Sequence, residues 1–150
     1  MSAPVTPDLI DRTEVAARLR LSATRLARIL RQQADLGLTP SQITALATIG
    51  REGPLTLGAL AETEHVTPPS MTKVVEKLET IGLIERRPDA RDRRRVLAAV
   101  TPAGQALLAE ARARKDAILA TRIADLDDDQ LQRLTGALDV LDVLAGSGRP

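Results

Sequence analysis

Six arginines fall within ten residues: Arg86, Arg87, Arg91, Arg93, Arg94 and Arg95, in the run RRPDARDRRR from 86 to 95. A guanidinium is charged at any physiological pH. Its planar fork of N–H donors suits phosphate oxygens and electronegative grooves. Pro88-Asp89-Ala90 interrupts the run with residues that turn a chain, and Asp89 and Asp92 set two carboxylates inside it. The chemistry on offer is the binding of a polyanion by a shaped basic turn. Catalytic chemistry has no comparable signature: there is no Ser-His-Asp set, no phosphate-cradling glycine loop and no paired-carboxylate motif. His65 is the single histidine and cysteine is absent. A metal site, which needs three or four convergent ligands, is therefore not expected, nor is a disulfide framework or a thiol switch. No cofactor and no enzymatic activity are expected.

A basic turn needs elements to aim it. Upstream, Pro68 to Gly82 reads as a helix, with Thr67 suited to the N-cap, Pro68 to the first helical position and Gly82 to the residue after the C-cap. Met71, Val74, Val75, Leu78 and Ile81 step by 3, 1, 3 and 3 along one face. The opposite face carries Ser70, Thr72, Lys73, Glu76, Lys77 and Thr80. Downstream, Leu83 to Arg87 and Arg95 to Val100 read as strands joined by an irregular hairpin. Ahead of this block, Thr39-Pro40-Ser41-Gln42 has the form of a capping box and opens a helix that Gly53-Pro54 ends. Its buried side is Ile43, Leu46, Ala47 and Ile49-Gly50. Leu55 to Leu57 reads as a short extended piece and Gly58 to Glu64 as a short helix, with Leu57, Leu60 and Ala61 inward. His65-Val66 is the turn before Thr67. Thr56 either caps the short helix or touches a phosphate. A helix, a short helix, a turn, a groove-sized helix and a basic hairpin together make a winged helix-turn-helix, the arrangement that reads duplex DNA.

The outer segments are helical too. Met1 to Pro7 reads as a frayed arm. Asp8 can cap a helix running to about Gln33, whose Val15, Leu19, Ser22, Leu26 and Ile29 step by 4, 3, 4 and 3. Gly37 closes that segment. Thr101-Pro102-Ala103-Gly104 opens a long helix to about Leu126, and Asp127 caps a last one with Leu131, Leu134, Leu138 and Leu141 spaced 3, 4 and 3. Gly146 to Pro150 reads as a tail. Apolar stripes at both ends of the chain have little core of their own in one subunit, so pairing with a second copy about a two-fold axis is expected. The fold class is thus mainly α with a small β-wing: a winged helix-turn-helix plus N- and C-terminal dimerisation helices. The expected division is 1–35 for the arm and first dimerisation helix, 36–101 for the DNA-binding domain and 102–150 for the C-terminal dimerisation helices, all within one compact subunit.

Composition agrees. Of 150 residues, 43% are hydrophobic and none is aromatic. Such a core is built from Leu, Ile, Val, Ala and Met between helices, and modules that stack bases on aromatic rings are disfavoured. The net charge is only +1, yet residues 66–100 hold eight Lys/Arg against five acids, and residues 125–142 hold six Asp against Arg133. No apolar run approaches ~18 residues and no signal-peptide core is present, so a cytoplasmic protein with no membrane partner is expected.

With these pieces in order the chain resembles the MarR family of bacterial transcription regulators, from about Asp8 to Leu144. The segments that carry the resemblance are LTPSQITALATI, LTLGALAE, VTPPSMTKVVEKLETIGLIER and the hairpin RRPDARDRRRVLAAVTPAG. The hairpin fits the family's Asp-x-x-Asp-x-Arg pattern at Asp89, Asp92 and Arg94, followed by a strand and Thr-Pro-x-Gly. The resemblance implies a homodimer on a pseudo-palindromic double-stranded DNA operator, with one helix per half-site in the major groove and wings in the flanking minor groove. It also implies regulation, most often repression, released by a small anionic or aromatic effector. Cysteine-based oxidant sensing, used by other members, is excluded here.

The DNA-binding residues expected are Ser70, Thr72, Lys73 and Lys77 on the helix and Arg86, Arg91, Arg93 and Arg94 on the hairpin. The resemblance places Arg94 in the minor groove, with Asp92 orienting its guanidinium. The plainer reading is an Asp92–Arg94 pair that only stabilises the hairpin. Thr39 and Thr101 are read as caps and nothing more. No residue is assigned to the effector. The alternative function is a winged-helix protein-interaction module without specific DNA binding, against which the wing arginines argue.

Overall fold

The computed structural model of the chain describes residues 11–33 and 36–146. The expected cap Asp8, the N-terminal arm and the end of the tail lie outside them. Six helices and three short strands are present among the described residues: α1 (Arg12–Gln33), α2 (Pro40–Glu52), β1 (Leu55–Thr56), α3 (Leu57–Thr63), α4 (Pro68–Thr80), β2 (Ile84–Pro88), β3 (Val96–Val100), α5 (Pro102–Ile123) and α6 (Asp128–Leu144). The fold is mainly α with a small antiparallel sheet. The long helix α5 ends a little earlier than its sequence suggests, and the strands start one residue later.

Local chemistry sets the boundaries. At α2, Thr39 accepts the Gln42 N–H at 3.3 Å and the Gln42 side chain accepts the Thr39 N–H at 2.9 Å, a complete capping box with Pro40 behind it. Asp127 and Gln130 repeat the device at α6. Thr56 accepts the Ala59 N–H at 3.2 Å, so it caps α3. Asp11 accepts the Thr13 N–H at 2.8 Å at the start of α1.

The sheet has the order β1-β3-β2. β2 and β3 pair antiparallel from Ile84 opposite Val100 to Pro88 opposite Val96, and β1 adds Leu55 opposite Ala98 on the other edge of β3. Side chains of α2, α3, α4, the sheet and the start of α5 form the core: Leu46, Ile49, Leu60, Val75, Leu78 and Ile84 are its largest fully buried members. Among the described residues Thr48 is the buried polar side chain, and its hydroxyl donates to Glu64 Oε1 at 2.5 Å.

The chain divides into two compact units, one closing at Ala111 and the other opening at Arg112. The first holds α1 to α4, the sheet and the start of α5, whose Gly104, Leu108 and Ala111 are buried at helical spacing. The second holds the rest of α5 and α6. Neither α1 nor α6 contains a buried residue; Val15 stays 51% exposed and Leu138 50%. Among the described residues no helix is long and apolar enough to cross a membrane.

Candidate nucleic-acid interface

Helix α4 is amphipathic in the manner its spacing predicts, with Met71, Val75 and Leu78 buried. Ile81, counted on that face by periodicity, is instead 52% exposed, because it is the C-cap and the chain leaves the helical path there. The outer face exposes Ser70, Lys73, Glu76, Lys77 and Thr80. Lys73, Glu76, Lys77 and Thr80 line an open depression of about 350 Å³. Thr67 caps the helix, accepting the Ser70 N–H at 3.4 Å while its own hydroxyl donates to Ser70 Oγ at 2.9 Å. Thr72 is less available: it is half-buried, and its hydroxyl donates back to the Pro68 carbonyl at 3.0 Å.

The turn that delivers α4 is tight. His65 takes φ +52, the left-handed region that glycine normally fills. Its N–H bonds the Glu62 carbonyl at 3.1 Å and the Val66 N–H bonds the Ala61 carbonyl at 3.0 Å, a Schellman closure of α3. The far end of α4 closes the same way. Gly82, at φ +78, donates to the Glu79 carbonyl at 3.0 Å and Leu83 to the Leu78 carbonyl at 2.9 Å.

The hairpin between β2 and β3 is built by its two aspartates. The Asp89 carboxylate accepts the Arg91 N–H at 2.9 Å and the Asp92 carboxylate accepts the Arg94 N–H at 3.0 Å, two consecutive Asx turns. Main-chain bonds close the loop: Asp89 N–H to the Arg95 carbonyl and Arg95 N–H to the Asp92 carbonyl, both 2.9 Å. Asp92 thus shapes the chain at Arg94 through the backbone. Among the described residues no ion pair joins it to the Arg94 guanidinium. Arg91, Arg93, Arg94 and Arg95 are exposed and, among the described residues, have no acidic partner within ion-pair distance.

Arg86 stands apart from that group. Its Nε lies 3.1 Å from Glu79 Oε2, tying β2 to the last turn of α4. Sequence reasoning missed this pair, because an acid on a helix and a base seven residues on meet only after Gly82 reverses the chain. It also missed the Thr48–Glu64 bond and a cleft of about 250 Å³ whose lining includes Ser41, Thr44, Glu64, Ser70 and Met71. Among the described residues no cluster of His, Asp and Glu is placed to hold a metal ion. The structure offers exposed lysines and a hydroxyl on α4 and, at the hairpin tip, guanidinium groups with no ion pair among the described residues, a charge suited to a nucleic-acid backbone and its grooves.

Comparison with known proteins bears on these groups. The MarR family model matches residues 38–96, the span from α2 to the start of β3. An uncharacterised HTH-type transcriptional regulator of Mycobacterium leprae is 38% identical over 128 residues, 85% of this chain and 90% of the relative. The HTH-type transcriptional repressor NicR of Pseudomonas putida is 35% identical over 109 residues, 71% of this chain and 69% of NicR. Among solved structures, an S. aureus MepR mutant bound to an oligodeoxyribonucleotide shares the fold, with a TM-score of 0.68 at 21% identity over 89% of this chain and 98% of that one.

Proposed function

Because this chain belongs to the MarR family of DNA-binding transcriptional regulators, we propose that it works as a homodimeric, sequence-specific repressor that a small-molecule effector releases from duplex DNA. Regulators of this family are not enzymes. The observation that carries the proposal is the exposure of Ser70, Lys73 and Lys77 on α4 together with that of Arg91, Arg93 and Arg94 at the hairpin tip, where among the described residues no acid pairs with them.

In this reading α4 enters the major groove. Lys73 and Lys77 stand about 6 Å apart along its axis, on one face, and reach phosphates or base edges. Ser70, in the first turn, donates to a phosphate beside the helix N-terminus. The hairpin lies along the minor groove, where Arg94 meets the negative potential of a narrow A·T-rich segment and Arg91 and Arg93 neutralise phosphates. Arg86 contributes by holding the wing root to α4, with its guanidinium on Glu79.

Homodimerisation is supported by the apolar stripes of α1 and α6, in which no residue is fully buried within one chain. Leaving Val15, Leu19, Leu26, Leu131, Leu138 and Leu141 in water forgoes about 25 cal/mol per Å² of apolar surface, which a second copy would recover. Repression is supported by the name of NicR, a repressor. The resemblance to the family implies the effector, anionic or aromatic in class. It would act by preferring a dimer whose two α4 helices are misspaced for successive major grooves.

Selection of bound duplexes from a random pool tests the proposal. It should enrich a pseudo-palindrome with half-sites about one helical turn, ~10 base pairs, apart. Enrichment of no sequence, or of a lone half-site, contradicts it.

A further inference from the structure

Thr101 is more than the first-turn cap that its sequence context suggests. Its side-chain oxygen accepts the Gly104 N–H at 3.1 Å, capping α5, and its hydroxyl proton goes to the Gly82 carbonyl at 2.6 Å, across 19 residues of sequence. The Thr101 N–H donates to the next carbonyl along, that of Leu83, at 3.0 Å. Gly82 and Leu83 are the two residues that close α4: their N–H groups hold the Glu79 and Leu78 carbonyls. The dipeptide that terminates α4 therefore donates into α4 and accepts from the start of α5. Gly104 tightens the joint. A Cβ there would overlap the Leu83 carbonyl oxygen and stand 2.6 Å from Val100 Cγ1, so the first turn of α5 sits directly on the backbone. Helix α5 is also the continuous element that runs from the first compact unit into the second.

Capping alone needs only an acceptor, and Asn, Asp or Ser supplies one as well as Thr does. The bond to Gly82 needs a donor on the same atom, which restricts the position to a hydroxyl. We propose that Thr101 is a positioning residue for DNA recognition: its hydroxyl locks the start of α5 to the end of α4, so that the entry angle of α4, and with it sequence-specific affinity, depends on a side chain that does not touch DNA. The proposal rests on the reading of α4 as the recognition helix.

The test compares affinities of the full chain for its selected operator and for random duplex at one salt concentration. Variants are Thr101→Ser, Thr101→Asn and Gly104→Ala. Asn keeps the cap and removes the hydroxyl, while Ala at 104 favours helix and wedges α5 off the joint. Both should lower the operator-to-random ratio about tenfold or more, with random-DNA affinity within about twofold of wild type, because the phosphate-binding lysines and arginines remain. Thr101→Ser should restore the wild-type ratio. Folded Asn and Ala variants with unchanged ratios overturn the proposal. So does global unfolding of both in the cold, which would make the joint a matter of stability alone. If wild type itself shows no preference for any operator, the recognition-helix reading fails first, and the two failures are distinguished.

Discussion

His65 accepts a conformation that costs it energy. Left-handed backbone disfavours an L side chain by roughly 1–2 kcal/mol, while glycine adopts it freely and gives back part of that advantage as entropy in the unfolded chain. His65→Gly should therefore stabilise the fold by on the order of 1 kcal/mol or somewhat less, read as a higher denaturant midpoint with an unchanged slope. An equal or lower midpoint would mean that the imidazole contributes a compensating contact. At this scale the sequence was legible in part. The residue types of the hairpin announced a basic turn shaped by Asp89 and Asp92, because Asx chemistry is local. Which atom Asp92 would hold was not legible. A carboxylate two residues ahead of an arginine can reach either its N–H or its guanidinium, and only the turn geometry decides for the N–H. Arg86 shows the same limit: its partner Glu79 is brought near by a reversal of the chain.

Helices and strands were the most legible level. Thr39, Thr67 and Asp127 sit at observed N-caps and Gly82 at an observed Schellman position, because caps and left-handed glycines depend on neighbours three or four residues away. Burial was harder to read. Periodicity puts Val15, Leu19, Ser22, Leu26 and Ile29 on one stripe of α1, yet no residue of α1 is buried. Periodicity records which face is apolar and is silent on what covers it. The hairpin takes its shape from two carboxylates that accept main-chain N–H groups. The double variant Asp89→Ala, Asp92→Ala should lower the thermal midpoint by only several degrees, since each exposed side chain–backbone bond contributes about 1 kcal/mol. Operator affinity should nonetheless fall, because the arginines lose their fixed directions. Deleting the two carboxylates also removes negative charge, so an affinity equal to or above wild type would show that charge and not shape governs the wing.

At the scale of the whole molecule, a nearly neutral chain separates its charges: a basic hairpin in the first compact unit and six Asp between 125 and 142, against Arg133, in the second. The long helix α5 begins in the first unit, fastened through Thr101 and Gly104 to the end of α4, and continues into the second. In the proposed function the hairpin tip carries Arg94 into DNA. Operator affinity of Arg94→Ala against wild type, measured by anisotropy at moderate salt with the thermal midpoint of each protein recorded, tests it most directly. The expected result is an unchanged midpoint and a loss of about tenfold or more per operator, in line with ~1–3 kcal/mol for one specific groove contact. An Arg94→Ala protein that is folded and binds the operator as tightly as wild type would contradict it.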